Sequence, residues 1–379
     1  MADAPNILFA GGGTGGHVYP AIAIADAIRR HMPAASIAFA GTRDRMEWEA
    51  VPKAGYDIYP ITVSGLHRNQ PLRNVSLPYK LARSLVESRT LVRKLDPDVA
   101  VGTGGYVSGP VLFAASLAGT PLVLQEQNAY AGLTNRLLGR RATRIHVAFL
   151  EAKKYLPADR CVLSGNPTRM ELLACDAAEG RAHYGVPPDA FVLAVLGGSL
   201  GSRAINEAVA HGIETVLRDE STHVLWQSGR QYFEALRARV PEHPRLRLLE
   251  YIDHMDLTYA AADLAVCRAG AITCSELMVT GTPSILVPSP NVAEDHQTYN
   301  ARSMAGAGAA VMISEDDMKD RLLATVSELR NAPARLAEMS RAARQIARPE
   351  AADTIARDVL QVAGFDEEVP SDDGPASTD

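Results

Sequence analysis

The chain has 379 residues, 47% hydrophobic and 22% charged, which excludes a disordered or collagen-like polymer and allows two domains with separate cores. No stretch approaches the roughly 18 continuous apolar residues of a membrane span, and the opening MADAPNILFA lacks a basic start or cleavage site, so a cytosolic protein is expected. The net charge of −6 argues against a general nucleic-acid binder, but residues 1–164 carry 19 Lys and Arg against 12 Asp and Glu, a basic excess suited to phosphate or an anionic membrane.

Asn6 to Ala10 is an apolar run, followed by Gly11, Gly12, Gly13, Gly15 and Gly16, and then by Ala21, Ile22, Ile24, Ala25 and Ile28 at helical spacing. The order predicts strand, Gly-rich turn and helix. Such a turn lets backbone approach a ligand, and the helix N-terminus behind it offers unpaired N–H groups to a phosphate. The plainer reading is a turn that only packs helix on strand. His17 stands at the lip of the turn, where a reacting group belongs in an open α/β sheet. Gly11, Gly13 and Gly16 satisfy the dinucleotide spacing, but the second strand, Ser36 to Ala40, ends in Gly41-Thr42-Arg43 where an acid is required, which disfavours NAD.

Ile58 to Ile61 reads as a third strand, and the segment after it is rich in turn formers and basic groups, Arg68 and Arg73 among them. Residues 77–95 form an amphipathic helix whose Leu and Val positions alternate with Lys80, Arg83, Arg89, Arg93 and Lys94. It reads either as a crossover helix with a solvated basic face or, with the preceding loop, as a surface for anionic lipid. The loop is the better membrane candidate. Asp96-Pro97-Asp98 has the D-x-D form of a metal–nucleotide site, but its place between a helix end and Val99 to Val101 makes it a turn. GTGGYVSGP at 102–110 is a second Gly-rich turn, and Leu122 to Leu124 a strand that delivers Glu126, Gln127 and Asn128. Asn128 and Asn135 read as site residues or as caps and turn residues. Arg144 to Ala148 and Cys161 to Ser164 complete this half.

The pattern restarts after Gly165-Asn166-Pro167-Thr168-Arg169, with FVLAVLGGSLGSRAINEAV at 191–209 echoing the opening motif. Further strands are expected at His223 to Gln227, Arg247 to Glu250, Leu264 to Cys267, Ser284 to Pro288 and Ala309 to Ile313. Two doubly wound α/β domains across a cleft follow. Gly270 to Glu276 runs from a strand end into a helix beginning near Ala271, a seat for a diphosphate. Glu276 fits ribose hydroxyls, or is a first-turn glutamate favoured by the helix dipole. Gln297 reads as a sugar contact or a turn cap. Cys161, Cys175, Cys267 and Cys274 show neither C-x-x-C spacing nor His pairing, so reduced thiols and no zinc are expected. The expected division is 1–164, 165–345, a C-terminal helix at 346–363 returning to the first domain, and a disordered acidic tail at 364–379.

Taken together, GGGTGGHVYPAIAIA, GTGGYVSGP, EQNAYAGLTN, GNPTR, GGSLGSRAIN, CRAGAITCSEL and EDHQTYNA, in this order across residues 6–301, resemble the MurG family of peptidoglycan N-acetylglucosaminyltransferases. The resemblance implies a GT-B fold of two Rossmann-like domains and inverting transfer of GlcNAc from UDP-GlcNAc to the muramoyl 4-hydroxyl of lipid I, giving lipid II, with no cofactor and no metal. It carries Thr14, Gly15, Gly16, Asn128, Arg169, Ser199, Ile252, Ala271, Ile272, Thr273, Cys274, Ser275, Glu276 and Gln297 over as UDP-GlcNAc contacts. Ser199 and the helix at Ala271 would face phosphate, the Ile252 backbone uracil, and Glu276 ribose.

An inverting transfer needs a base for the incoming hydroxyl and charge stabilisation for the departing UDP. His17 is the leading base, since imidazole titrates near neutrality, with Glu126 as helper or alternative. Gln125 departs from the family's pattern, in which a His often precedes Glu-Gln-Asn. The resemblance further implies lipid I as partner at the cytoplasmic face of the inner membrane, an anionic surface beneath the basic half, other cell-wall synthesis proteins nearby and no nucleic acid. Other readings are a different UDP-sugar enzyme of this fold, an epimerase or glycolipid synthase, and a non-catalytic nucleotide-binding scaffold.

Overall fold

The structure is a computed structural model that describes residues 4–63, 77–168 and 170–365. In the first half, β1 (Asn6–Gly11), α1 (Gly15–His31), β2 (Ser36–Gly41), α2 (Glu47–Lys53) and β3 (Asp57–Pro60) are followed by α3 (Leu77–Leu95), β4 (Val99–Gly104), α4 (Ser108–Ala118), β5 (Leu122–Glu126), α5 (Leu133–Leu138), β6 (Arg144–Val147) and β7 (Cys161–Leu163). These strands form one sheet in the order β3-β2-β1-β4-β5-β6-β7, parallel from β3 through β5. The loop with Arg68 and Arg73 lies outside the described residues, as does the tail from 366.

The second sheet repeats the plan. Its elements are α6 (Ala177–Tyr184), β8 (Phe191–Leu196), α7 (Arg203–Leu217), β9 (Thr222–Gln227), α8 (Phe233–Arg237), β10 (Leu246–Leu249), α9 (Met255–Ala261), β11 (Leu264–Cys267), α10 (Ala271–Thr280), β12 (Ser284–Leu286), α11 (His296–Gly306) and β13 (Ala310–Met312). The order β10-β9-β8-β11-β12-β13 is parallel throughout. α12 (Met318–Arg330), α13 (Pro333–Ile346) and α14 (Ala351–Val362) end the chain. Pro333 opens α13, where a missing N–H costs nothing. Both sheets reverse direction of winding beside their first strand, between β1 and β4 and between β8 and β11. Ligands of open α/β sheets bind beyond the carboxyl ends of such strands.

The described residues divide into two compact units, one holding those up to Gln125, Leu138–Ile145 and those from Ala352 on, the other Glu126–Leu137 and those of His146–Ala351. β7, the last strand of the first sheet, ends at Leu163. In the first unit Ile7, Phe9 and Phe39 bury themselves with Ile24 and Ile28 of α1, and the Phe9 and Phe39 rings stack at 5.0 Å. Ile355, Ala356, Val359 and Leu360 of α14 complete that core. In the second unit Leu193, Val195, Val224, Trp226, Leu264 and Val266 pack against Ile205, Val209 and Ile213 of α7.

Charge also fixes α14 to α1. The Asp353 carboxylate accepts hydrogen bonds from Arg30 at 2.9 Å and His31 at 3.1 Å. Burial pushes this carboxyl up, but Arg30 and His31 outweigh it and hold it below its ordinary value. A carboxyl held low in the fold stabilises it at neutral pH, and that contribution is lost as pH falls through the lowered pKa. Asp353→Asn is therefore expected to cost about 0.5–1 kcal/mol at pH 7 in urea unfolding. The difference from wild type should fade as pH is taken below 3.8, the ordinary aspartate value.

Candidate functional site

In the first unit, the turn after β1 is shaped by backbone crowding. A Cβ on Gly105, at φ +85, would stand 2.2 Å from the Gly12 carbonyl oxygen, and one on Gly104, at φ +101, 2.8 Å from Cδ2 of His17. Only glycine satisfies both the positive φ and the space. The Ser108 hydroxyl lies 2.6 Å from the Ala10 carbonyl and 2.7 Å from that of Gly104, tying the turns after β1 and β4 together. Thr14, in extended conformation, leads into α1, whose N-terminus has no side-chain cap and no acid in its first turn. Thr14, Gly15 and Gly16 therefore line a helix end with the polarity that an anion prefers.

His17 is half-buried against Gly104 and held from both ends of its residue. Its carbonyl accepts from Thr103 Oγ1 at 2.8 Å, while Nδ1 lies 3.2 Å from the Gly12 carbonyl and 3.1 Å from Thr14 Oγ1. A carbonyl can only accept, so this pairing puts the ring proton on Nδ1 and the lone pair of the neutral imidazole on Nε2.

Sequence reasoning missed Glu47. It looked for an acid at the end of β2 and found none, but the first turn of α2 supplies one. The fully buried Glu47 accepts from the Gly13 N–H at 3.0 Å and the Thr42 N–H at 3.1 Å. A Cβ on Gly12 would stand 2.5 Å from its Oε1. One N–H of the Gly-rich turn thus serves an internal carboxylate, not a ligand. The signal available in the sequence was weak, a glutamate five residues beyond Thr42.

In the second unit, α10 begins at Ala271 behind Gly270, with no side-chain cap and no acid in the first turn. Its first-turn N–H groups and dipole give this helix end the polarity that an anionic group prefers. Cys274 is fully buried and burial pushes its thiol well up, so it offers a ligand only backbone. Ser275 donates to the Ala271 carbonyl and accepts from Asn166 Nδ2 at 2.9 Å, which orients it inward. Glu276 is 8% exposed and accepts from the Tyr259 hydroxyl at 3.1 Å. Ser199 is exposed on the loop between β8 and α7, flanked by Gly198 at φ +85 and Gly201 at φ +76. The buried Ile252 donates its N–H to Gln227 Oε1 at 2.9 Å. Gln297 Oε1 accepts from the Ser289 N–H at 2.9 Å, just after Glu294 and Asp295, both at positive φ. Arg169 lies outside the described residues.

Glu126, expected as a helper or alternative base, has both carboxylate oxygens engaged. It is 2% exposed, and its Oε1 accepts from the Asn128 N–H and Nδ2, its Oε2 from the Gly132 N–H and Asn135 Nδ2. Burial pushes this carboxyl up in spite of those four donors. A carboxylate so engaged organises its own turn and is poorly placed to receive a substrate proton. Asn135, in α5, donates to the same carboxylate from Nδ2 at 2.9 Å. Asn128 Oδ1 accepts from Asn300 Nδ2 at 3.2 Å, and Asn300 also donates to the Ala269 carbonyl at 3.1 Å, which joins Asn128 to the approach to α10. Asp98 accepts from the Asn6 N–H at 2.8 Å, so the D-x-D segment braces β1. Among the described residues no group of three His, Cys, Asp or Glu could hold a metal ion.

Residues 7–147 match the model of the glycosyltransferase family 28 N-terminal domain, and residues 192–355 that of the family 28 C-terminal domain. A protein of Salinibacter ruber named UDP-N-acetylglucosamine--N-acetylmuramyl-(pentapeptide) pyrophosphoryl-undecaprenol N-acetylglucosamine transferase is 58% identical over 360 residues, 95% of this chain and 97% of its own. A Flavobacterium psychrophilum protein of the same name is 40% identical over 94% of this chain and 97% of its own. The crystal structure of Acinetobacter baumannii MurG is similar with a TM-score of 0.78 and 29% identity, covering 94% of this chain and 99% of that one.

The Glu47 arrangement makes a direct prediction. Glu47→Ala leaves two N–H groups without an acceptor and should cost about 1–3 kcal/mol for each, read by urea unfolding. Glu47→Gln should cost less, because its one carbonyl oxygen can still serve one of them.

Proposed function

The chain belongs to the MurG family within glycosyltransferase family 28, and from that premise we infer that it transfers GlcNAc from UDP-GlcNAc to lipid I, undecaprenyl-diphospho-muramoyl pentapeptide, to form lipid II in peptidoglycan synthesis. The observation that carries the activity is the 58% identity, over nearly the whole of both chains, to the Salinibacter ruber transferase. The transfer is an inverting one. The muramoyl 4-hydroxyl attacks C1 of GlcNAc, the new O–C1 bond forms as the C1–O bond to the diphosphate breaks, and UDP leaves with the electron pair.

His17 Nε2 takes the hydroxyl proton in this reading. The Nδ1 contact with the Gly12 carbonyl keeps that tautomer and steadies the imidazolium once formed. Departing negative charge falls to the uncapped N-terminus of α10 (Ala271, Ile272, Thr273, Cys274, Ser275), to Ser199 and to Arg169. Glu276 holds ribose, the Ile252 peptide uracil, and Asn128 and Gln297 the sugar. Thr14, Gly15 and Gly16 add the end of the α1 helix. In this reading no step needs a metal ion, because the fixed dipole of α10 together with Arg169 supplies the positive charge.

The acceptor's lipid tail requires an inner-membrane surface on the cytoplasmic side. Among the described residues no helix is long and apolar enough to cross a membrane. The first half of α3 exposes Tyr79 at 68%, Leu81 at 55% and Val86 at 66%, while Leu91 and Val92 near its end are buried. Lys80, Arg83, Arg89 and Arg93 lie on the same helix, Arg83 paired with Glu87 at 2.8 Å. Exposed apolar groups on a basic helix suit an anionic bilayer surface.

His17→Ala should lower transfer about 10²–10⁴-fold while calorimetry finds UDP-GlcNAc affinity unchanged, and EDTA should leave wild-type transfer intact. Wild-type turnover in that variant would move the base elsewhere. Val86→Asp should weaken co-sedimentation with phosphatidylglycerol vesicles several-fold without altering UDP-GlcNAc affinity, and equal binding by the variant would remove this face from the membrane contact.

A further inference from the structure

Gln227, the last residue of β9, is 4% exposed and has a partner at each end of its amide. Nε2 donates to the Gly198 carbonyl at 3.0 Å, and Oε1 accepts from the Ile252 N–H at 2.9 Å. The orientation is forced, since a carbonyl can only accept and an N–H can only donate. Glutamine is also the residue type required, a planar group that presents one donor and one acceptor at the reach this strand end demands.

The two partners lie on different connections. Gly198 is on the loop between β8 and α7 and precedes Ser199. Ile252 is on the segment between β10 and α9. Neighbouring contacts show how closely the loop sits on the end of β9. A Cβ on Gly201 would stand 2.1 Å from the Ser228 carbonyl, and Asn206 Nδ2 donates to that carbonyl at 2.8 Å. The Ser228 N–H and hydroxyl in turn bond the Leu249 carbonyl at the end of β10. These contacts hold the flanks, while among the described residues Gln227 is the side chain that bonds both the residue before Ser199 and the Ile252 peptide.

We propose that Gln227 is a positioning residue that sets the spacing between the diphosphate-facing loop at Ser199 and the base-reading peptide at Ile252. This rests on the assignment of those two groups to UDP made above. A ligand that touches only one of the two seats gains nothing from a fixed spacing. A ligand that spans both gains the full advantage of not having to order the second seat after engaging the first.

Gln227→Glu is the sharpest probe. Its carboxylate still accepts from Ile252 but sets a negative oxygen against the Gly198 carbonyl. At pH 8, calorimetry should show UDP affinity about 10-fold weaker, the scale of one lost hydrogen bond, with uridine inhibition of transfer within about 2-fold of wild type. The UDP penalty, taken relative to wild type at each pH, should shrink as pH is lowered, because the protonated carboxyl again carries a donor and an acceptor. Gln227→Leu, which loses both bonds, should weaken both ligands and show no such pH rescue. A merely structural role would lower UDP and uridine affinity in parallel, or lower neither, and that result overturns the proposal. Glu276→Ala separates the two levels. If it weakens UDP while Gln227→Glu does not, only the spacing role fails. If it too leaves UDP affinity unchanged, the donor-seat assignment fails and the proposal with it.

Discussion

At the carboxyl ends of β1 and β4 the connecting turns approach until a Cβ on Gly105 would stand 2.2 Å from the Gly12 carbonyl, and in the second sheet a Cβ on Gly201 would stand 2.1 Å from the Ser228 carbonyl. A parallel sheet with helices on both faces sends its chain out at these ends, so this is where turns must crowd. Glycine resolves the crowding by removing side chains, and the result is a surface of bare peptide groups next to a helix N-terminus. Polar ligands and reacting side chains then find dipoles already oriented toward them. The position of His17 follows from the same crowding, because its ring lies in the space that Gly104 leaves empty.

Three carboxylates show how differently one functional group is used around these turns. Glu47 lies fully buried and closes the first Gly-rich turn from within. Glu126 gathers four donors and shapes the segment leading to α5. Glu276, in α10, has the Tyr259 hydroxyl as a neighbour. Burial of a carboxylate is tolerated only where donors replace the lost water, and the donors at Glu47 and Glu126 are mostly backbone N–H groups of tight turns. The turn and the acid stabilise each other.

Much of this was legible in the sequence. Apolar runs ending in glycine marked β1, β4 and β8, because parallel strands buried on both faces are continuously apolar. Gly270 before a periodic segment marked the start of α10 to the residue, and the helix at 77–95 matched α3. Strand ends moved by a residue or two, as at β3, because hydrogen-bond pairing and not composition sets them. What stayed hidden was tertiary. Nothing in the sequence joins Glu47 to Gly13, Gln227 to Gly198 and Ile252, or Asn300 to Asn128, since these pairings span from 25 to 172 positions. Glu126 was legible as a strand-end acid, but that its oxygens would be consumed locally depends on a turn conformation that periodicity does not encode.

The first core takes its last members, Ile355, Ala356, Val359 and Leu360, from the far end of the chain, after the whole stretch His146–Ala351 has gone into the other unit. During synthesis the order of completion is therefore inverted. The unit that begins first cannot close until the ribosome has finished some two hundred further residues, a wait on the order of 10–40 s at bacterial elongation rates. For that interval the apolar faces of α1 and β1 lack the helix that covers them. A nascent chain of this protein has a second domain able to finish while the first still waits, and any premature stop that removes α14 harms the domain that was made earliest.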